Sequence, residues 1–226
     1  MRNHNLFETV LSSTVHDMKN SLGQLMAQLD DISLKLEHDK ENQNAVSSLR
    51  YESSRINLSL MQLLTLYKLE KDQLSINIGE VEVIDFIEDC IASHSMMAKN
   101  KGIQIELDCD DSLIWFFDPN MVGIAINNIL GNSIRYSKNK VLVTVKFEEG
   151  YNIIQIDDDG DGYPESMLED PASLINRIDK NTSSTNLGLF YSAIIAEEHQ
   201  RLGKSGTIQL LNKQLLNGGC FQFKLP

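Results

Sequence analysis

His16, Asp17 and Asn20 stand in the string STVHDMKNSL (Ser13–Leu22), with imidazole and carboxylate adjacent and the amide one helical turn beyond His16. Such a set can move a proton and pass a group to a partner, although a plain solvated helix face is built from the same residue types. Asn128 and Asn132 lie four apart inside an apolar-periodic segment, where one cavity can take both amides. Carboxamides favour caps over helix interiors, so two at this spacing invite a functional use. A third group is IQIDDDGDGYP (Ile154–Pro164), in which Gly160 and Gly162 let the backbone turn sharply and approach a planar ligand. A fourth is SSTNLGLFYSAIIAEEH (Ser183–His199), a polar segment with a glycine that runs into an apolar helix.

The acidic group admits a rival chemistry, since Asp157, Asp159, Asp161 and Gly162 match positions one, three, five and six of a calcium loop. The match fails further along. Pro164 stands where that loop needs an aliphatic strand residue and Leu168 where it needs a bidentate glutamate, and a strand precedes the motif in place of a helix.

Two kinds of element must position these residues. From Leu11 to Leu36 the apolar residues Leu11, Val15, Met18, Leu22, Leu25, Leu29, Ile32 and Leu36 alternate spacings of four and three, the mark of one continuous seam on a bundle helix. The polar run Glu37–Asn44 interrupts it, and Val46, Leu49, Ser53, Ile56, Leu60, Leu63 and Tyr67 resume it. A helical hairpin is expected over residues 1–75, with Met26, Leu58, Leu64 and Leu66 off the seam asking for the further cover of a homodimeric four-helix bundle. His16 sits one residue past the seam, reachable from solvent.

From about Gly79 the heptads give way to shorter blocks, and residues 79–226 predict a compact two-layer α/β sandwich. A helix from Val83 to Asn100 is followed by the strand-like runs Ile103–Leu107 and Leu113–Phe117, whose acidic connection suggests a hairpin. An amphipathic helix follows Asp118. VLVTVKF and NIIQIDD pair through Glu149 and Gly150, and IQLL with CFQFKLP closes the chain.

The bulk numbers exclude several classes. With 32 acidic and 20 basic residues the net charge is −12, which opposes nucleic acid and anionic lipid surfaces. Cys90, Cys109 and Cys220 are odd in number and form no CxxC pair, so neither a disulfide framework nor a zinc site is indicated, and a reducing cytoplasm is expected. No apolar stretch approaches the roughly 20 residues of a membrane helix, and MRNHNLFE lacks the apolar core of a signal peptide.

The four motifs, in this order and with a terminal FQFKLP, resemble the catalytic core of sensor histidine kinases: a dimerisation and histidine phosphotransfer hairpin followed by an ATP-binding domain of the GHKL type. Ser13–Leu22 is similar to the H-box, with Ser21 where the family commonly has proline. The resemblance implies that His16 takes the γ-phosphoryl group, that Asp17 accepts the imidazole proton, and that Asn20 positions a water for dephosphorylating the partner. Asp118–Ser137 looks like the N-box, making Asn132 the ligand of Mg²⁺, Asn128 its polar neighbour, and Arg135 and Tyr136 nucleotide contacts. Asp158, Gly160 and Gly162 match the DxGxG of the G1 box, with Asp158 on the adenine amino group. Leu187 and Gly188 match the G2 box that holds phosphates, while Ser184 and Asn186 replace its first two glycines; Arg177 and Lys180 stand in the expected ATP lid between the boxes.

The implied activity is an ATP-dependent histidine kinase of a two-component system that passes phosphate to an aspartate of a response regulator receiver domain, with phosphatase action as a further expectation. The altered G2 box keeps open a non-catalytic histidine phosphotransferase with a degenerate ATP site. A serine kinase of the anti-sigma type would share the later boxes but has no use for HDMKN. No input module is visible, so either a separate sensor protein supplies the signal or the sequence is a piece of a longer one.

Overall fold

The computed structural model describes residues 2–35, 40–168 and 187–226, and the side chain of His16 is not among those described. The chain divides into two compact units, Met1–Leu74 and Ser75–Pro226.

In the first unit α1 (Arg2–Lys35) and α2 (Lys40–Glu70) pack against each other. The single seam expected from the spacing separates into two rows of period seven. Val15 and Leu29 are buried with Leu22 half-buried between them, whereas Met18, Leu25 and Ile32 on α1 and Leu49, Ile56 and Leu63 on α2 remain 42–58% exposed. The reason is geometric: alternating three and four builds two adjacent rows, and a single neighbouring helix covers only one of them. Ser53 and Thr65 are buried in the hairpin and donate their hydroxyls to the carbonyls of Leu49 and Met61 at 2.8 and 2.9 Å.

The second unit is a five-stranded sheet with helices on one face. Its strands are β2 (Gln104–Asp108), β4 (Lys140–Glu148), β5 (Tyr151–Asp158), β8 (Thr207–Asn212) and β9 (Gly219–Leu225), in the order β2-β4-β5-β9-β8. Only β2 and β4 run parallel. The register aligns Val143, Ile156, Phe221 and Leu210 in one transverse row and Val145, Ile154, Phe223 and Ile208 in the next, all buried. Against this face lie α3 (Val83–Lys101), α4 (Pro119–Tyr136) and α6 (Leu187–Glu198); a short α5 (Glu165–Leu168) follows β5, and β6 (Gln200–Arg201) pairs antiparallel with β7 (Lys204–Ser205) after α6. The opposite face carries the row Thr144, Gln155, Gln222 and Gln209. The alternation apolar-in, polar-out thus fixes a two-layer sandwich.

The hairpin expected between Ile103–Leu107 and Leu113–Phe117 does not form. Instead β2 joins β4, while β3 (Ile114–Phe117) pairs antiparallel with β1 (Gly79–Glu82) in a separate two-stranded sheet. The acidic connection folds on itself, with Asp110 Oδ1 accepting from Ser112 N–H and Oγ at 2.8 and 2.6 Å, and the Val83 N–H donates to Leu113 O, carrying β3 to β1. A local Asx turn therefore wins over the tight hairpin that runs of this length otherwise suggest.

Ends of helices are fixed by named groups. Asp118 caps α4, its Oδ1 accepting from Asn120 N and Met121 N, and Pro119 takes the first position, where no N–H is needed. Gly102, at φ 71°, caps α3. Lys101 Nζ donates to Arg135 O at 2.7 Å and Ile134 O at 3.4 Å, placing a cation on the carbonyl end of α4. Buried His199 accepts the Asp118 N–H at Nε2 and sits 2.6 Å from Ile195 O through Nδ1, so the proton lies on Nδ1 and the end of α6 is tied to the start of α4. Burial lowers its pKa and favours that neutral form.

Candidate nucleotide site

Asp158 ends β5 on the helix-covered face, in phase with Ile154 and Ile156. Its Oδ1 accepts from Gly160 N at 2.8 Å and Gly219 N at 3.1 Å, and its carbonyl accepts from Gly218 N at 2.9 Å. Among the described residues nothing donates to Oδ2. Burial raises the pKa of this carboxyl, and the two amides pull it partly back. Gly160 is demanded by space: a Cβ there would stand 2.5 Å from Tyr136 O and 2.9 Å from Asp158 Oδ1. Gly162 has φ +83°, in the left-handed region open to glycine.

The remaining acidic side chains of this loop diverge. Asp157 is buried, accepting from Gln155 Nε2 at 2.7 Å and Leu215 N at 3.1 Å. Asp159 turns the other way and accepts from the amides of Lys138, Asn139 and Lys140 at 2.8 to 3.2 Å. Burial pushes its pKa up, but those amides overcome it and hold the carboxyl at about 2. Asp161 forms an exposed ion pair with Lys138 at 2.6 Å. Three carboxylates that point three ways make no calcium cradle, and among the described residues no cluster of three metal-ligating side chains occurs.

Helix α4 connects the motifs. Asn132 Nδ2 donates to Asn128 Oδ1 at 3.3 Å, which leaves Asn132 Oδ1 with no donor among the described residues. Gly188, in the first turn of α6, lies directly on the Asn128 amide, so that any Cβ at 188 would collide with it. One turn past Asn132, Tyr136 presents its carbonyl to Gly160. The N-box amides therefore lie along one helix between the G2 glycine at Asn128 and the G1 glycine at Tyr136. Arg135 is half-buried and the Tyr136 side chain exposed. Leu187 opens α6, whose first amides have no intrahelical acceptor and favour an anion.

His16, Asp17 and Asn20 belong to the other unit, within α1, where Asp17 and Asn20 are exposed. Ser21 donates its hydroxyl to Asp17 O at 2.9 Å, so this helix keeps a donor where proline would have none. Asn186, Ser184, Arg177 and Lys180 lie outside the described residues. Sequence reasoning passed over the β8–β9 turn, whose Gly218 and Gly219 bind Asp158; the double glycine before an alternating strand was the available sign. The thiols stay out of this chemistry: burial pushes Cys90 up to about 12 and raises Cys109 and Cys220 as well.

Residues 117–226 match the model of the family described as histidine kinase-, DNA gyrase B-, and HSP90-like ATPase. Sensor protein SrrB of Staphylococcus aureus is 23% identical over an alignment of 224 residues that covers 96% of this chain and 37% of SrrB. The chain thus spans little more than a third of the length of the curated relatives it matches. Full-length ShkA, solved in complex with AMPPNP, superposes with a TM-score of 0.65 at 18% identity, over 96% of this chain and 45% of that one. Acinetobacter baumannii histidine kinase AdeS gives 0.58 at 19% identity, covering 89% and 95%. The catalytic domain of histidine kinase ThkA gives 0.57 at 21% identity, covering 66% and 97%. At these identities the solved structures show the fold alone, a GHKL-type α/β sandwich. Among the described residues no helix is long and apolar enough to cross a membrane.

Proposed function

We propose that the chain is a sensor histidine kinase catalytic core that phosphorylates its own His16 from ATP and passes the phosphoryl group to an aspartate of a response regulator, a reading supported by the match of residues 117–226 to the histidine kinase-, DNA gyrase B-, and HSP90-like ATPases and by the similarity to SrrB. The observation that carries this reading is the stacking of three motifs on α4, with Gly188 on Asn128, Asn132 on Asn128, and Gly160 on Tyr136.

The donor set fits an adenine nucleotide with a divalent cation. Asp158 has one oxygen filled by two amides and the other without a donor among the described residues, an arrangement that takes an exocyclic amino group and repels a carbonyl oxygen. Asn132 donates through nitrogen and so keeps its carbonyl oxygen for a cation, the ligand type Mg²⁺ prefers. Mg²⁺ when bound supplies charge neutralisation between phosphate oxygens. The start of α6 at Leu187 and Gly188 offers amides to phosphate, with Asn186 expected just before it, and Arg135 and Tyr136 line the adjoining end of α4.

In the transfer, a His16 ring nitrogen forms a bond to the γ-phosphorus as the β–γ bridging bond breaks and ADP leaves. The other ring nitrogen gives its proton to Asp17. Asn20, one turn on, is assigned to positioning the water that later cleaves the aspartyl phosphate of the regulator. A second copy of the chain is the proposed cover for the exposed rows Met18, Leu25, Ile32 and Leu49, Ile56, Leu63, giving a dimeric four-helix bundle. The signal is assigned to a sensing segment or sensor protein beyond these residues. Nucleotide binding tests the reading: micromolar to millimolar ATP affinity that needs Asp158 supports it, and no binding refutes it.

A further inference from the structure

The β8–β9 turn, residues 212–219, is attached to the base-recognition loop by five hydrogen bonds that no motif describes. Leu215 N donates to Asp157 Oδ1, Gly218 N to Asp158 O and Gly219 N to Asp158 Oδ1. The other two come from one side chain. Asn212 Oδ1 accepts the Tyr163 N–H at 2.7 Å, and Asn212 Nδ2 donates to Tyr163 O at 2.8 Å. The amide thereby meets both backbone groups of one residue, as a neighbouring strand would. It also lies against Gly162, where a Cβ would stand 2.8 Å from Asn212 Oδ1.

Asn212 closes the turn as well as the loop. It is the last residue of β8 in register with Gly219, and the next residue, Lys213, donates to Gly218 O at 2.9 Å. Displacing Asn212 therefore moves both ends of the base site, the Gly162–Tyr163 segment and the Gly219 amide that orients Asp158 Oδ1. The Tyr163 ring is packed in the same place, 3.1 Å from where a Gly219 Cβ would be. Only a carboxamide of this length supplies one acceptor and one donor in this spacing.

We infer that Asn212 is a positioning residue for nucleobase selection: it holds the turn so that Asp158 presents a single fixed oxygen to the six-position of a purine. The inference rests on the proposed ATP-binding role of Asp158 and adds a residue and an element to it. A carboxylate fixed by two amides accepts a six-amino group and rejects a six-oxo group, whereas one released from Gly219 can swing to accept the N1–H of a six-oxo purine instead.

The test compares ATP with inosine triphosphate, which differs at the six-position, by calorimetry on the full chain with Mg²⁺. Wild type is expected to prefer ATP by tenfold or more. Asn212→Asp keeps the acceptor for Tyr163 N–H but sets an oxygen against Tyr163 O, and is expected to cut that preference at least fivefold with the number of competent sites unchanged. Loosened folding alone would lower the competent fraction or both affinities together, leaving their ratio intact. Should Asn212→Asp fail to fold, Asn212→Ser, small and neutral, carries the same expectation. An unchanged ratio in a folded variant overturns the role of Asn212 while leaving ATP binding standing. Wild type that binds ATP without preference over inosine triphosphate overturns the inference too. Absence of ATP binding in wild type overturns the kinase reading and this inference with it.

Discussion

Asp158 and Asp159 are neighbours with opposite environments, and each environment predicts an outcome. Asp158 is buried with two amide donors on one oxygen, and burial raises its pKa. Its ionised form is the acceptor, so base recognition is present above the raised pKa and lost as pH falls through it. Purine affinity should therefore drop at a higher pH than the ordinary carboxylate value of 3.8 allows. Asp158→Asn should remove that pH step and weaken ATP binding about 10- to 100-fold, the worth of a charge-assisted hydrogen bond; titration calorimetry across pH reads both. Asp159 is the reverse case, held at about 2 by three backbone amides. A depressed carboxyl stabilises the fold above its unfolded value and loses that contribution as pH falls towards the folded one. Asp159→Ala should cost about 0.5–1 kcal/mol near neutrality, since solvent screens this largely exposed carboxyl. Denaturant melts should show the gap to wild type closing between pH 3.8 and about 2. Gly188→Ala must displace the Asn128 amide, since no space exists between them; the expected result is at least a tenfold rise in KM for ATP, checked by steady-state phosphorylation, with the melting point lowered by a few degrees.

At the scale of elements, the two helices and the strand alternation were legible because burial imposes its period on the residue types, whereas the division of the seam into a covered and an uncovered row was not. The row Val143, Ile156, Phe221 and Leu210 reads directly from β-branched and aromatic positions two apart. Strand partnership was not legible in the same way. Ile103–Leu107 and Leu113–Phe117 look like a hairpin locally, and only the Asp110 turn and the Leu113 carbonyl bond to Val83, set by tertiary structure, send them to separate sheets. Similarly, Asp158 and its glycines were visible as a motif, but of the amides on its Oδ1 only that of Gly160 is local, while that of Gly219 comes some sixty positions later, as does the Gly218 amide on its carbonyl. Local pattern marks a candidate residue and stays silent on the distant groups that aim it. The two helices make a prediction of their own. Leu25 and Leu63 lie in the uncovered rows, 43% and 46% exposed, so Leu25→Glu with Leu63→Glu should convert a dimer to a monomer. Each leucine forfeits about 2 kcal/mol of apolar burial per copy. Light scattering should show the halved mass with helical content kept, and an unchanged mass would show that the rows are covered by something else.

At the scale of the whole chain, the chemistry is shared between two units. Met1–Leu74 carries His16, Asp17 and Asn20, and Ser75–Pro226 carries Asp158, Asn132 and Gly188. Phosphoryl transfer requires in-line approach with the charge neutralised, and it is mostly a matter of positioning. On the proposed reading the nucleotide unit supplies a held phosphate and the hairpin a nucleophile with its base, so neither has the full constellation alone. This division predicts separable defects: a change at Asp158 should weaken ATP binding and labelling together, and a change at His16 should abolish labelling with ATP affinity kept. Incubation of the full chain with γ-labelled ATP and Mg²⁺, beside His16→Ala, tests the account most directly. We predict acid-labile, alkali-stable label on wild type and none on His16→Ala at equal ATP affinity; label that persists in the variant, or ATP bound by wild type without any label, would contradict it.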